Sequence, residues 1–262
     1  MFPSKNILCL FSSFLVLAAG VIPVYGQGEV LASIERRIEG FQARYGIPFK
    51  YDGFPPGKYY IKFLEVTPEE YRALNNYLIL FEEEINKYPR GFFKGRDVRG
   101  IGLVNNLFSG ETPAQGLYNS SSHIMFFDIS RFGDNKAQQR HSIHHEIYHM
   151  MSQQDQGLQV LSDEKWASFN NEGFSYGKQT KSLRNTNPVN PYAPNQLGFV
   201  TYYAMTSIEE DRAEVFACLM QKNHRDLIEK WMQKDPALKK KIEAMKNFAA
   251  EYNYEMDEGY WE

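Results

Sequence analysis

Two histidines and a glutamate stand at a chemically informative spacing near the middle of the chain. The stretch 140–151 reads Arg-His-Ser-Ile-His-His-Glu-Ile-Tyr-His-Met-Met and contains an HExxH motif at His145, Glu146 and His149. On a helix, residues four apart lie one above the other, so both imidazoles can point at one metal ion. Zn²⁺ suits two neutral imidazoles, and a catalytic zinc keeps a position open for water. Glu146 directly follows the first histidine, where a general base is needed.

Other histidines near the motif offer alternatives. His141 and His145 are also four residues apart, so they could form a pair of their own. Only the pair His145 and His149 has a carboxylate in the position of a base, and this pair is therefore favoured. We expect His141 and His144 to face solvent or to support the ligands, and His123 to lie on the surface at the end of a strand.

A zinc ion held by two histidines needs a third protein ligand, and a carboxylate on a following helix is one standard source. The stretch 198–217 contains four acidic candidates: Glu209, Glu210, Asp211 and Glu214. Glu210 and Glu214 are four apart and share one face of a helix. Glu214 would be either a solvent-facing residue or an acceptor that orients a histidine ligand.

The start of this second helix can be read in two registers. Ser207-Ile208-Glu209-Glu210 fits a capping box in which Glu210 bonds back to the backbone of Ser207. A cap at Thr206 instead makes Glu209 the capping partner and leaves Glu210 free for metal. Capping rules do not choose between these registers.

The two motifs together carry a family resemblance. HExxH followed by Tyr-x6-Glu-x3-Glu-x-Phe resembles the motifs of a group of zinc peptidases. This group is similar to the catalytic domain of anthrax lethal factor and includes the secreted clostridial Pro-Pro endopeptidases. Generic bacterial zinc-binding metallopeptidases share much of the second motif. The residues that match are His145, Glu146, His149, Tyr203, Glu210, Glu214 and Phe216.

This resemblance covers about residues 123–220 and has three implications. It implies an α+β zincin fold in which the strand before the metal helix lines the substrate cleft. It implies a gluzincin-type third ligand, Glu210. It also implies that Tyr203, rather than its neighbour Tyr202, supports the transition state.

The elements that must position these residues are predicted from periodicity and turn signals. Helices are expected at about 29–45, from the capping box at Thr67–Glu70 to about 87, from an Asp134-Asn135 cap to about Met151, at about 225–233, and from Pro236 to about 252. Strands are expected at 59–64, 101–104 and 123–129. The predicted fold is therefore an α+β zincin-like domain with a small mixed sheet, an HExxH helix and a helical C-terminal part.

Three other segments have weaker patterns. Residues 109–122 are polar and loop-like, and 152–198 is long for a loop, so it is expected to form a rim or flap of the cleft pinned by Trp166 and Phe174. The run Lys239-Lys240-Lys241 is expected to be a solvated face.

The first residues predict export. A lysine at position 5, an apolar run from Ile7 to Ile22 and a cleavage sequence before Gln27 are typical of a secretory signal peptide over 1–26. A single catalytic domain over 27–262 would follow, with an N-terminal α/β part at about 27–152 and a C-terminal helical part at about 199–262. The chain has 2 cysteines, Cys9 and Cys218, so the exported form could make no internal disulfide.

Composition limits the partners. The formal net charge of -3 argues against nucleic acid. The prediction is a monomeric, secreted (extracellular or periplasmic) zinc endopeptidase that acts on a peptide or protein substrate, with no stable membrane association after signal cleavage. Hydrolysis would use a zinc-activated water with Glu146 as base, and Tyr203 would support the oxyanion. The substrate would pair with the strand 123–129. The alternative is a non-catalytic zinc-containing binding protein on the same scaffold.

Overall fold

The computed structural model describes residues 27–54, 61–131, 133, 135–155, 163–177 and 197–262. The predicted signal peptide, the first two residues of the strand expected at 59–64 and much of the predicted flap lie outside these residues. The helices are α1 Gln27–Tyr45, α2 Tyr71–Ile85, α3 Lys136–Asp155, α4 Glu164–Ala167, α5 Ile208–Met220, α6 Lys222–Trp231 and α7 Pro236–Tyr252. The strands are β1 Phe49–Lys50, β2 Ile61–Leu64, β3 Gly100–Ser109, β4 Thr112–Pro113, β5 Gly116–Asn119 and β6 Ile124–Asp128.

The sheet is mixed and its order is β1-β3-β6-β5. β3 pairs in parallel with β1 and β6 through its first half, whereas its second half pairs antiparallel with β2 and β4. β5 pairs antiparallel with β6. Residues 100–105 of β3 are all buried, as expected for a central strand covered on both faces. The α+β class, the small mixed sheet and the helical C-terminal part are therefore confirmed.

Local signals explain where several helices begin. Thr67 and Glu70 form the predicted capping box with Pro68 at the first position, although the first turn is a 3₁₀ turn and α2 proper begins at Tyr71. The side chain of Asn135 accepts the amide of Gln138 at 3.2 Å and so caps α3. Asp235 caps α7 in the same way, through the amide of Leu238.

Helix α3 lies in the middle of the molecule. It packs against α5 on one side, against α2 on another, and against β5 and β6 at the sheet. Eleven of its residues are buried, and all residues from Asp211 to Met220 in α5 are buried as well. Both helices are enclosed around their circumference, and their polar side chains must therefore find partners inside the protein.

Two sequence-based expectations about the sheet and surface are wrong. The polar stretch 109–122 contains β4 and β5, because pairing with β3 and β6 outweighs its weak strand pattern. Lys241 is fully buried rather than solvated: its Nζ lies 2.6 Å from Asp211 Oδ2, donates to Gly198 O, and lies over the ring of Phe199.

Aromatic side chains fix parts of the loop region, as expected for Trp166 and Phe174, and also the C-terminus. Trp166 is buried and donates its Nε1–H to Asp211, and Phe174 packs on Tyr176 and Phe199. Trp261 packs back onto the core. No helix within the described ranges is long and apolar enough to cross a membrane.

Candidate metal centre

Three side chains from two helices converge on one point. His145 Nε2 lies 3.0 Å from His149 Nε2, as their four-residue spacing on α3 predicts. Glu210 Oε2, on the first turn of α5, lies 3.0 Å from His145 Nε2 and 3.6 Å from His149 Nε2. These three ligand-type atoms form one of the groups in the described residues that are close enough to hold a metal ion.

The second nitrogen of each histidine is held by a separate carboxylate. His145 Nδ1 lies 2.8 Å from Glu214 Oε1, and His149 Nδ1 lies 3.1 Å from Glu209 Oε1. A carboxylate only accepts, so each Nδ1 carries the hydrogen and donates it. Each Nε2 is then left with its lone pair directed toward the other two atoms of the group. This is how metal-binding histidines are usually oriented.

The donor set fits a zinc ion. Two imidazole lone pairs and a carboxylate oxygen this close together repel one another unless a cation or a proton lies between them. Glu210 Oε2 is buried and makes no hydrogen bond of acceptable geometry, so this oxygen lacks a partner in the described part of the chain. Two imidazoles and one carboxylate are a standard protein contribution to a catalytic zinc site.

The same carboxylates raise the basicity of the histidines. Burial lowers the pKa of His145, but Glu210 and Glu214 outweigh it and hold that pKa well above its ordinary value. Burial likewise lowers the pKa of His149, and Glu209 and Glu210 raise it to about 9. A proton and a metal ion therefore compete for the same two Nε2 atoms.

Glu146 stands beside this group at the edge of the sheet. Burial raises the pKa of its carboxyl above the ordinary value, which makes the carboxylate a stronger base. Its Oε2 accepts the backbone N–H of Tyr118 in β5 at 3.1 Å, which leaves Oε1 free. Gly116 makes this approach possible, since a Cβ there would lie 2.4 Å from Glu146 Cγ.

Tyr203 also reaches the centre, whereas Tyr202 does not. The ring of Tyr203 lies 5.8 Å from that of His145, and Tyr203 lines the cleft with the three converging residues. Burial raises the pKa of Tyr203 well above its ordinary value, and the negative charge of Glu210 adds to this, so its hydroxyl keeps its proton at neutral pH. Tyr202 packs instead against the cluster around Phe199.

Glu214 joins the ligand helix to the turn that carries Tyr203. It is buried, so it is not the solvent-facing residue that was one of the two expectations. Its Oε1 accepts from His145, and its Oε2 accepts the hydroxyl of Thr201 at 2.7 Å. Thr201 Oγ1 in turn accepts the amide of Ala204, which fixes the 3₁₀ turn Tyr203–Met205.

Ser207, rather than Thr206, is the N-cap of α5. The Glu210 carboxylate is nevertheless not used for capping and can face the histidines. The Ser207 hydroxyl accepts the amide of Glu210 at 3.1 Å, while the Glu210 carboxylate faces the histidines. Glu209 is not the capping partner that the register with Thr206 as cap required, because its carboxylate holds His149. One geometry therefore satisfies both the cap and the cluster.

The two other histidines of α3 have different partners, and His123 lies elsewhere. His141 is buried and its Nε2 lies 2.9 Å from Glu214 Oε1, so it supports the centre and does not face solvent. His144 neither faces solvent nor supports the centre. It is fully buried toward α2, where its Nε2 lies 2.6 Å from Glu84 Oε2 and its Nδ1 lies 2.7 Å from the hydroxyl of Tyr88. His123 lies at the start of β6, near Asp97, as expected.

Two further groups of ligand-type atoms lie in the described residues: His141 with His145 and Glu214, and His141 with Cys218 and His224. In the first of these groups, Glu214 accepts hydrogen bonds from both histidines. A carboxylate used in this way orients the histidines and does not itself bind a metal ion. The second group shares no metal-binding atom with the candidate centre of His145, His149 and Glu210.

Sequence reasoning missed the contributions of Glu209, Gly116, Thr201 and the Tyr118 amide. Gly116 left one signal, because a lone glycine between strand-forming residues marks a close approach of another group. The other three contribute through contacts with residues that lie far from them in the sequence, so no local sequence pattern indicates them.

A cleft of about 470 Å³ opens over the cluster between β5 and α5. A mixed sheet, an HExxH helix along it and a carboxylate from the next long helix define the class of α+β zinc-binding metallopeptidases. A family model described as "Putative zinc-binding metallo-peptidase" matches residues 97–257, which is more than half of the chain, and the chain belongs to this family.

The fold also resembles that of a solved structure. A crystal structure described as a putative zinc-binding metallo-peptidase from Bacteroides caccae ATCC 43185 superposes with a TM-score of 0.55 at 17% sequence identity. The alignment covers 89% of this chain and 90% of the other, so the two share a fold. No curated protein matches the chain.

Proposed function

We propose that the protein is a zinc-dependent endopeptidase whose metal is held by His145, His149 and Glu210. The observation that carries the proposal is the convergence of these three ligand atoms, each histidine being oriented by its own carboxylate, beside a buried glutamate. A structural zinc site is closed by four protein ligands, whereas three ligands in an open cleft leave room for a substrate.

The chemistry divides between the ion and the chain. A zinc ion bound here would supply Lewis acidity, which polarises a carbonyl group and acidifies water. Glu146 Oε1 takes a proton from the attacking water and delivers it to the leaving amine, while Oε2 stays fixed on the Tyr118 amide. The protonated hydroxyl of Tyr203 donates a hydrogen bond to the developing oxyanion.

We infer that an extended substrate would pair with β5 and not with the strand 123–129, which was the expectation from the sequence. β6 is paired on both sides, by β3 and by β5, so it has no free edge. The Asp128 amide donates to Gln115 O, and bonded and non-bonded pairs alternate along an antiparallel ladder. The backbone polar groups of Gly116 and Tyr118 therefore point away from β6 and toward the cleft. The Tyr118 N–H is taken by Glu146, so the N–H and C=O of Gly116 and the C=O of Tyr118 remain for an extended peptide that adds a strand.

Three finer aspects belong to the same proposal. The order of motifs favours a relationship to the zinc peptidases similar to anthrax lethal factor and to the Pro-Pro endopeptidases. The apolar segment within 1–26 favours export, with activity as a monomer outside the cytosol. The net charge of -3 favours peptide or protein substrates over nucleic acid.

The proposal is tested by incubating the purified chain with a peptide library, with and without a chelator. Cleavage that the chelator abolishes and added zinc restores is the expected result. Glu146→Gln should keep its zinc and lose hydrolysis. A zinc-loaded chain that cleaves no peptide, or a Glu146→Gln variant as active as the wild type, contradicts the proposal and favours a binding protein.

A further inference from the structure

A second group of metal-binding side chains lies behind the candidate centre, where α5 meets α6. Cys218 and His224 come from this junction and His141 comes from α3. One ligand atom from each of the three lies within 4.8 Å of the others. The centre proposed above uses none of these atoms for its own metal.

Each of the three side chains has an atom to spare. His141 uses Nε2 for Glu214, and its Nδ1 accepts only from the amide of Gln221, at 3.2 Å. His224 Nδ1 is buried and has no hydrogen-bond partner among the described residues. The thiol of Cys218 is free and fully buried. A buried imidazole nitrogen without a partner costs free energy, and this points to a ligand that the amino-acid side chains do not supply.

We propose that His141, Cys218 and His224 form a second metal site, for a borderline or soft divalent ion of the zinc class. Two imidazole nitrogens and one thiolate suit such ions and suit Mg²⁺ or Ca²⁺ poorly. Binding forms one bond to sulfur and two to nitrogen, and the thiol proton leaves to solvent.

The rearrangement that binding requires is small. Bonds of roughly 2.0–2.3 Å in a tetrahedral site place the ligand atoms roughly 3.5 Å apart, so separations within 4.8 Å need to close by roughly 1.3 Å at most. His224 is only half-buried, so its side chain is less restrained than those of the buried His141 and Cys218. The Gln221 amide also reaches Ala217 O, so it keeps an acceptor when it leaves His141.

The second site would be connected to the first through one carboxylate. Glu214 Oε1 accepts from both His141 and His145, at 2.9 and 2.8 Å. An ion on the far side of His141 makes its Nε2–H a stronger donor to Glu214, which weakens the hold of Glu214 on His145. Occupancy of the second site therefore tunes the first without contact with a substrate.

Cobalt(II) titration of the full-length chain tests the proposal, because a cobalt–thiolate bond gives a charge-transfer absorption that histidine and carboxylate ligands do not. We expect two equivalents to bind, and the band to grow with only one of them. Cys218→Ser should bind one equivalent without the band. Cys9→Ser, the matched control for the other cysteine, should keep both equivalents and the band.

His224→Ala provides a second variant at a half-buried position, where folding is less at risk than at Cys218. It should also lose one equivalent and the band, while zinc analysis still finds the first ion. A wild type that shows no charge-transfer band, or a band that survives in Cys218→Ser, would overturn the proposal, whereas one equivalent together with the band would count against the first centre only. Peptide hydrolysis does not enter this readout, so a failure of the proposed peptidase function is seen separately.

Discussion

Gly116→Ala tests the geometry of the centre more sharply than the loss of a ligand does. The change adds a single methyl group in β5, at a residue whose φ is not in the left-handed region, so the backbone is not strained. The new Cβ would lie 2.4 Å from Glu146 Cγ and 3.2 Å from its Oε1. Ordinary contact between such atoms begins at 3.4 Å, so the carboxylate must retreat.

The size of the effect follows from that distance. The side chain of Glu146 has to move by about 1 Å, and a misplacement of this size in a catalytic group costs about 100-fold in rate. Two of the proposed zinc ligands, His145 and His149, stay in place because Glu214 and Glu209 hold them, so metal content should be unchanged. Overpacking should cost about 1–3 kcal/mol of unfolding free energy, less the small gain from removing a glycine.

The assay measures kcat on a peptide that the wild type cleaves, the zinc content and the thermal unfolding of the same preparations. Gly100→Ala is the matched control: it too is a strand glycine, and its added Cβ would meet Pro48 O at an ordinary 3.4 Å. We expect the control to keep its rate. A Gly116→Ala variant that holds zinc and cleaves at the wild-type rate would refute the role given to Glu146.

Other perturbations have equally definite outcomes. Glu210→Gln should lose zinc affinity by more than the roughly 10–100-fold expected for Glu209→Gln, because it removes a metal ligand rather than a residue that orients one. Lys241→Met leaves Asp211 buried without its cation and should cost about 3–5 kcal/mol of stability, part of which returns in the double variant with Asp211→Asn. Burial opposes ionisation of Glu84, but its hydrogen bonds and ion pairs lower its pKa from 4.5 to about 2. This stabilisation, about 3 kcal/mol, is complete above pH 4.5 and is lost as the pH falls toward 2, and Glu84→Gln should lack it.

Metal analysis, thermal melts and acid titration of unfolding check these three outcomes in turn. Full zinc retention in Glu210→Gln together with loss in Glu209→Gln would reverse the assigned roles. A stable Lys241→Met would mean that the buried pair contributes little. An acid transition that is the same with and without Glu84 would contradict the shift given for its carboxyl.

The sequence alone determined the parts of the centre that depend on local spacing. His145 and His149 meet because four residues make about one turn of a helix, and Glu146 lies beside them for the same reason. The helix starts at α2, α3 and α7 were also predictable, since a cap involves residues three or four positions apart. Glu210 needed the second motif as well, because capping rules left its register open.

The tertiary structure decided which long-range partners complete the centre. The Glu209–His149, Glu214–His145 and Glu214–His141 contacts join residues 60 to 73 positions apart. A carboxylate on the first turns of a helix has the same sequence pattern whether it faces water or a buried imidazole, so only packing distinguishes the two cases.

Burial and strand pairing were decided in the same way. Lys241 lies in a run of three lysines that predicts a solvated face, yet Asp211 and Gly198 give this one lysine buried partners. β5 lies in a polar stretch of weak strand pattern, and it forms because β6 offers it an edge. Strand pairing and charge burial are interactions between distant segments, so their energies are absent from any local window of sequence.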